Sequence, residues 1–216
     1  GWKRTREVLT PADPSAVSLR YTWNGSKAGL SVVCEVTGYP ESNVVEWVVR
    51  FRNTSGQNSG QLSDVKVADM RMSFPSSGPV DVHYAEGNKI SRADYAPRTM
   101  ALGEGENIHF EPSGGRSSSE AFPFYNIESK ASGQGVMMAI GWTGTWFSDF
   151  NMAGQRSLDV SAGLVNFDLY LRPGEEIRVP SVAFLFWSGK RMDGHNRFRR
   201  FLLDHRYRKT QGKQVR

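Results

Sequence analysis

The sequence has a single cysteine, Cys34, so no internal disulfide can form and no disulfide framework holds the fold. No apolar run approaches the ~20 residues that a bilayer-spanning helix needs. The opening Gly1-Trp2-Lys3-Arg4 lacks the charged head and apolar stretch of a signal peptide, and a first residue other than Met leaves the native N-terminus and the compartment undecided. The four histidines, His83, His109, His195 and His205, show no metal-ligand spacing, so no metal site is expected. A nucleophile elbow and a phosphate-binding loop are missing too: Gly114-Gly115-Arg116 has neither the lysine nor the following helix that a phosphate loop requires. No cofactor and no independent catalytic residue are therefore expected. Cys34 lies in the apolar run Leu30-Ser31-Val32-Val33-Cys34 and reads as a small buried hydrophobe, with no activating neighbour in sequence.

What is present fits a soluble globular protein, with 38% hydrophobic, 12% aromatic and 23% charged residues. At 216 residues, one large all-β domain is a better expectation than two small ones. The net charge of +5 is unevenly placed. Residues 190–216 hold ten Lys or Arg and two Asp, so the preceding 189 positions carry a net of −3. A basic tail without a recognisable nucleic-acid module argues against nucleic acid as a partner and for a solvated or docking helix face. Asn24-Gly25-Ser26 and Asn53-Thr54-Ser55 match the glycosylation sequon, a pattern that chance also produces.

The body reads as strand after strand. In 43–53, Val45, Trp47, Val49 and Phe51 share one face by period two. Further β-rich runs fall at 17–23, 29–37, 62–74, 79–85, 98–102, 106–111, 122–129, 135–142, 155–160, 163–171 and 175–187. Turn signals such as Gly38-Tyr39-Pro40, Gly103-Glu104-Gly105 and Arg172-Pro173-Gly174 separate them. Ten or more short strands at this spacing predict a large antiparallel sandwich. One helix is predicted over 192–207, where Phe198, Phe201, Leu202 and His205 fall close to one face. The expected division is a β domain at 1–190, then a basic helix and exit linker at 191–216.

Binding chemistry is better supported than catalysis. Sugars offer flat CH faces to aromatic rings and hydroxyls to polar side chains, and the chain has six Trp and seven Tyr. Rings and polar groups coincide at His83-Tyr84-Ala85-Glu86, at Arg92-Ala93-Asp94-Tyr95, and around Trp142 and Trp146. Burial is the competing explanation for each tryptophan. It is the expected one for Trp47 and Trp187, whereas Trp142 and Trp146 sit in a Gly/Thr setting that suggests a turn.

The ordered motifs then resemble a known family. They are His83-Tyr84 to Gly87, Asp94-Tyr95-Ala96-Pro97, Gly114-Gly115-Arg116-Ser117-Ser118, Phe122-Pro123-Phe124-Tyr125-Asn126 and Gly135 through Trp146. Leu171 to Glu175, Pro180 to Trp187 and Asn196 to Leu202 follow. In that order they look like the N-terminal part of α-galactosidase-like (melibiase) enzymes, glycoside hydrolase family 36 and its relatives, over roughly residues 43–216. The resemblance implies an all-β fold: a large antiparallel β-supersandwich of the galactose-mutarotase-like type with a short C-terminal helix. It also implies a following (β/α)8 barrel that holds the catalytic aspartates, neither of which has a counterpart position here. A terminal α-galactoside would be the partner, through a pocket reached by rim loops carrying Arg116, Ser117, Trp142 and Trp146, with Asp94 behind them. Three other readings stay open: a free-standing carbohydrate-binding sandwich, a mutarotase-like enzyme for which His83, Glu86 and His109 are the available groups, and a purely structural or protein-binding sandwich. Sugar and linkage specificity and oligomeric state are not readable from these residues.

Overall fold

The computed structural model describes residues 1–25 and 29–207, together with the backbone of 209–210 and 213–214. In chain order the strands are β1 (Trp2–Leu9), β2 (Val17–Gly25), β3 (Leu30–Tyr39), β4 (Val44–Asn53), β5 (Leu62–Ser63), β6 (Lys66–Ser73), β7 (Val80–Glu86) and β8 (Pro97–Leu102). They continue as β9 (Asn107–Phe110), β10 (Ala121–Ser129), β11 (Gln134–Gly141), β12 (Trp146–Gly154), β13 (Ser157–Leu164), β14 (Asp168–Leu169), β15 (Glu176–Arg178) and β16 (Ser181–Ser188). The helix α1 (Arg191–His205) follows. The expected all-β supersandwich with a C-terminal helix is what these elements build. A ten-stranded antiparallel sheet runs β1-β2-β3-β4-β16-β11-β10-β7-β8, with β15 pairing β4 beside β16. It packs on a four-stranded sheet ordered β6-β13-β12-β9.

Period two sorts the large sheet into two different faces. Val80, Val82, Tyr125, Ile127, Met138 and Phe184 point to the small sheet, where they meet Trp146, Phe150, Met152, Leu158 and Val160 in the main core. The opposite face of the same strands carries Met137, Ala139, Leu185 and Trp187, which α1 covers with Phe198 and Phe201 in a second core. β11 is therefore buried on both sides, which explains its unbroken apolar run Val136–Ile140. Trp187 is the tightest point of the second core. Its indole N–H donates to Asn126 Oδ1 at 2.9 Å, and a Cβ added at Gly194 in α1 would stand 2.6 Å from that nitrogen. Glycine at 194 thus lets the helix approach the ring. Beside it, the Asp193 carboxylate accepts the Lys190 N–H at 2.8 Å and closes the helix N-terminus.

Several expectations need correction. β1 was not foreseen: its Lys3, Arg4, Arg6 and Glu7 break any apolar alternation, and it forms through an eight-residue register with β2. β12 begins at Trp146, a position that reads as a turn, and it alternates Trp146, Ser148, Phe150 and Met152 into the core. The run 175–187 divides into β15 and β16 around Val179-Pro180, since proline has no N–H for the ladder. Cys34 is half-buried rather than buried, because it stands mid-way along β3 and belongs to neither core, which β3 joins only at Tyr39; burial and then Glu35 raise its thiol pKa. The Asn53 sequon is unusable in the fold, for Asn53 is fully buried and its Nδ2 donates to the carbonyls of Gln57 and Leu171. Ser26 of the Asn24 sequon lies outside the described residues, as do Arg208 and most of the expected exit linker.

Candidate functional site

The segments that carry the sugar-binding candidates converge at one rim of the sandwich. The loop after β7 and the loop before β10 are clasped by backbone bonds: Gly87 N–H donates to the Glu120 carbonyl at 2.8 Å and Asn88 N–H to the Ser118 carbonyl at 2.6 Å. The approach is so close that a Cβ at Gly87 would lie 2.2 Å from the Ser118 oxygen, which only glycine avoids. From below, the Trp146 indole N–H donates to the Ser117 carbonyl at 2.9 Å. The rim loop is thereby tied at one end to a neighbouring loop and at the other to a core tryptophan.

Each predicted residue has a definite place in this arrangement. Arg116 is exposed at the tip of the Gly114-Gly115 turn, with no ion pair among the described residues; Ser117 is half-buried and gives its carbonyl to Trp146. Trp142 is half-buried, with part of its ring packed on the main core. Trp146 is 0% exposed, so it has no open ring face for a sugar: the structure corrects its stacking role to one of anchoring. Asp94 Oδ1 accepts the Lys89 and Ser91 N–H groups and the Ser91 hydroxyl at 2.9–3.1 Å. Those bonds hold its carboxyl below the usual carboxylate range, with the Lys89 N–H foremost, and commit one oxygen to shaping its own loop. The alternative set for mutarotase-like chemistry is not assembled: Glu86 pairs with Arg98, and His109 lies on the small sheet against Asp149.

Beside the rim, sequence reasoning overlooked a cavity of about 860 Å³ between α1 and the strands β7, β8 and β10. Phe122, Phe124 and Phe198 line it in a row, Phe122 to Phe124 at 5.0 Å between centroids and Phe124 to Phe198 at 5.8 Å, and Tyr95 packs on Phe122 at 5.4 Å. Arg98, Arg191, Arg199 and His195 also line it. Burial, then the positive Arg191, pushes the His195 imidazole down in pKa, toward its neutral form. His83 enters from the floor, its Nε2 2.8 Å from Glu128 Oε2 and its Nδ1 2.8 Å from Thr99 Oγ1. The alternation Phe122-Pro123-Phe124 was the available signal. It could place the rings on one face, but it could not say that a helix would roof them.

No family model matches the chain, and no curated protein sequence does. Solved structures do share its architecture. The galactosidase domain of the α-galactosidase–sucrose kinase AgaSK superposes with a TM-score of 0.70 at 20% identity, over 87% of this chain and 27% of that one. This chain has the fold of one segment of an α-galactosidase. The GH36 α-galactosidase AgaA from Geobacillus stearothermophilus gives 0.66 at 21% identity over 87% of this chain and 28% of its own. The α-galactosidase from Lactobacillus brevis gives 0.70 at 13% identity over 94% and 28%. The chain thus spans just over a quarter of each enzyme. An AgaA variant has also been solved in complex with raffinose. Among the described residues no helix is long and apolar enough to cross a membrane.

Proposed function

We propose that this chain is the non-catalytic front domain of an α-galactosidase-like glycoside hydrolase. In this reading it packs on a (β/α)8 barrel and lends its rim loops to that barrel's pocket for a terminal α-galactoside. One observation carries the reading: the fold match covers most of this chain but only 27–28% of each α-galactosidase, which leaves the larger part of the enzyme to house the reaction. The chemistry of the rim is consistent with such a supporting role. Arg116 offers five N–H donors to sugar hydroxyls or to a partner carboxylate, and the half-buried Trp142 keeps part of its ring exposed. Ser117, Asp94 and Trp146 act as positioning residues that fix where Arg116 stands. The exposed Arg197, Arg199 and Arg200 of α1 give the barrel a basic face to dock on.

Two measurements test this reading. The coding sequence beyond Arg216 is expected to continue into alternating strand and helix patterns with paired aspartates; a stop at that point overturns the proposal. Titration of the 216-residue chain with galactose and raffinose, followed by tryptophan fluorescence, is expected to be flat at millimolar sugar, because the pocket is only half built. A saturable response would favour a self-sufficient carbohydrate-binding module instead.

A further inference from the structure

We propose that Asp81, His83 and Glu128 form a binding site for one divalent transition-metal ion of the zinc type, on the helix-side face of the large sheet. The register of β7 and β10 brings these residues together. Asp81 stands directly opposite Glu128 and His83 opposite Asn126, while Asp81 and His83 share a face as i and i+2. One ligand atom from each lies within 4.8 Å of the other two. Around zinc, with bonds of about 2.0–2.2 Å to nitrogen and oxygen, donors stand roughly 3–4 Å apart, so small side-chain adjustments complete the set. The scaffold is stiff: β7 is paired on both sides, and Asp81 and His83 are 5% and 8% exposed.

The surroundings supply what such a site needs. Two carboxylates directly opposite each other across a strand pair repel, and a cation between them offsets that repulsion. Lys130, which pairs with Asp81 through Oδ2, is mostly exposed and so can swing into solvent when an ion takes its place. Thr99 Oγ1 sits against His83 Nδ1 at 2.8 Å; by accepting that N–H it orients the ring and leaves the Nε2 lone pair for the metal. Nε2 faces Glu128 Oε2 at 2.8 Å, so the ion would replace the proton shared there. One imidazole with two carboxylates suits zinc, cobalt or manganese better than calcium or magnesium, and three protein ligands leave a coordination position for water. His83 opens onto the cavity of about 860 Å³, which gives the ion an entry path. Sequence spacing could not reveal this set, because Glu128 is 45 residues from His83 and reaches it only through the sheet.

The test is a zinc titration of the full chain, with a competing fluorescent chelator and with cobalt as a spectroscopic probe. The expected result is one ion per chain, a visible cobalt band of nitrogen and oxygen ligands without a thiolate band, and proton release on binding. His83→Gln and Glu128→Gln should weaken binding at least ~100-fold, and Thr99→Val about 10–100-fold. Cys34→Ser and His109→Gln should leave it unchanged. No uptake at about 100 μM zinc, where even a weak site of micromolar Kd would fill, would overturn the proposal. So would a thiolate band in the wild-type cobalt spectrum, which does not depend on any variant folding, or binding that persists undiminished in a folded His83→Gln chain. The group would then be a hydrogen-bonded charge network closed by Lys130.

Discussion

At the sandwich rim, backbone bonds clasp Gly87 and Asn88 to Ser118 and Glu120 and leave the Arg116 side chain in solvent. On the helix-side face of the large sheet, side chains bond to one another inside the fold. Trp187 donates to Asn126, Asn126 Nδ2 donates to the Arg191 carbonyl at 3.2 Å, and His83 meets Glu128. The difference divides labour between shape and chemistry. The backbone clasps at Gly87 and Asn88 fix the loop's path without using the Arg116 side chain, so Arg116 can face a partner at little cost to the fold. A buried side-chain network depends on every member, because a donor or acceptor left unpaired costs its desolvation. Substitutions should therefore separate the two regions.

The largest effect is expected where the rim is anchored in the main core. Trp146→Ala removes a fully buried ring from the main core and the donor that holds Ser117, and should cost about 3–5 kcal/mol in a urea melt. Next come two of the tight glycines, Gly194 and Gly87, which act on one region each. Gly194→Ala pushes a methyl against Trp187, and Gly87→Ala pushes one against the Ser118 carbonyl; each should cost about 1–3 kcal/mol. Trp187 emission should shift in the first variant, whereas only the second should open the loop at 113–120 to limited proteolysis. Equal proteolysis in both would mean that the regions are not independent. A subtler effect concerns pH. The Ser15 hydroxyl and N–H, then His205, hold the Asp13 carboxyl at about 2, below its ordinary 3.8. The folded value lies below the unfolded one, so the stabilisation is complete above about pH 4 and is lost as pH falls toward about 2. Asp13→Asn should flatten that limb of the stability curve and leave melts near neutrality little altered in shape.

Much of the scaffold was legible because burial leaves a period in the sequence. Val45, Trp47, Val49 and Phe51 alternate along β4, and all four pack against the main core. The helix was predicted within two residues at each end, since Phe198 and Phe201 repeat at helical spacing. What stayed hidden depends on register. Nothing local distinguishes β1, whose strand character comes from its pairing with β2. The glycine and threonine neighbours of Trp146 left its ring open between core and sugar platform, and it opens a strand whose alternate residues fill the core. The His83 group and the helix-roofed cavity join residues 45 to more than 100 positions apart, and no spacing rule reaches that far.

The central claim, that this domain shapes a sugar pocket without running the reaction, is tested most directly by comparing galactose release from raffinose by the 216-residue chain and by the complete polypeptide. The account predicts no turnover by the chain alone. It also predicts activity in the complete polypeptide, whose KM rises several-fold on Arg116→Ala while kcat and stability hold, the latter within about 0.5 kcal/mol. Turnover by the isolated chain, or a KM indifferent to Arg116, would contradict it.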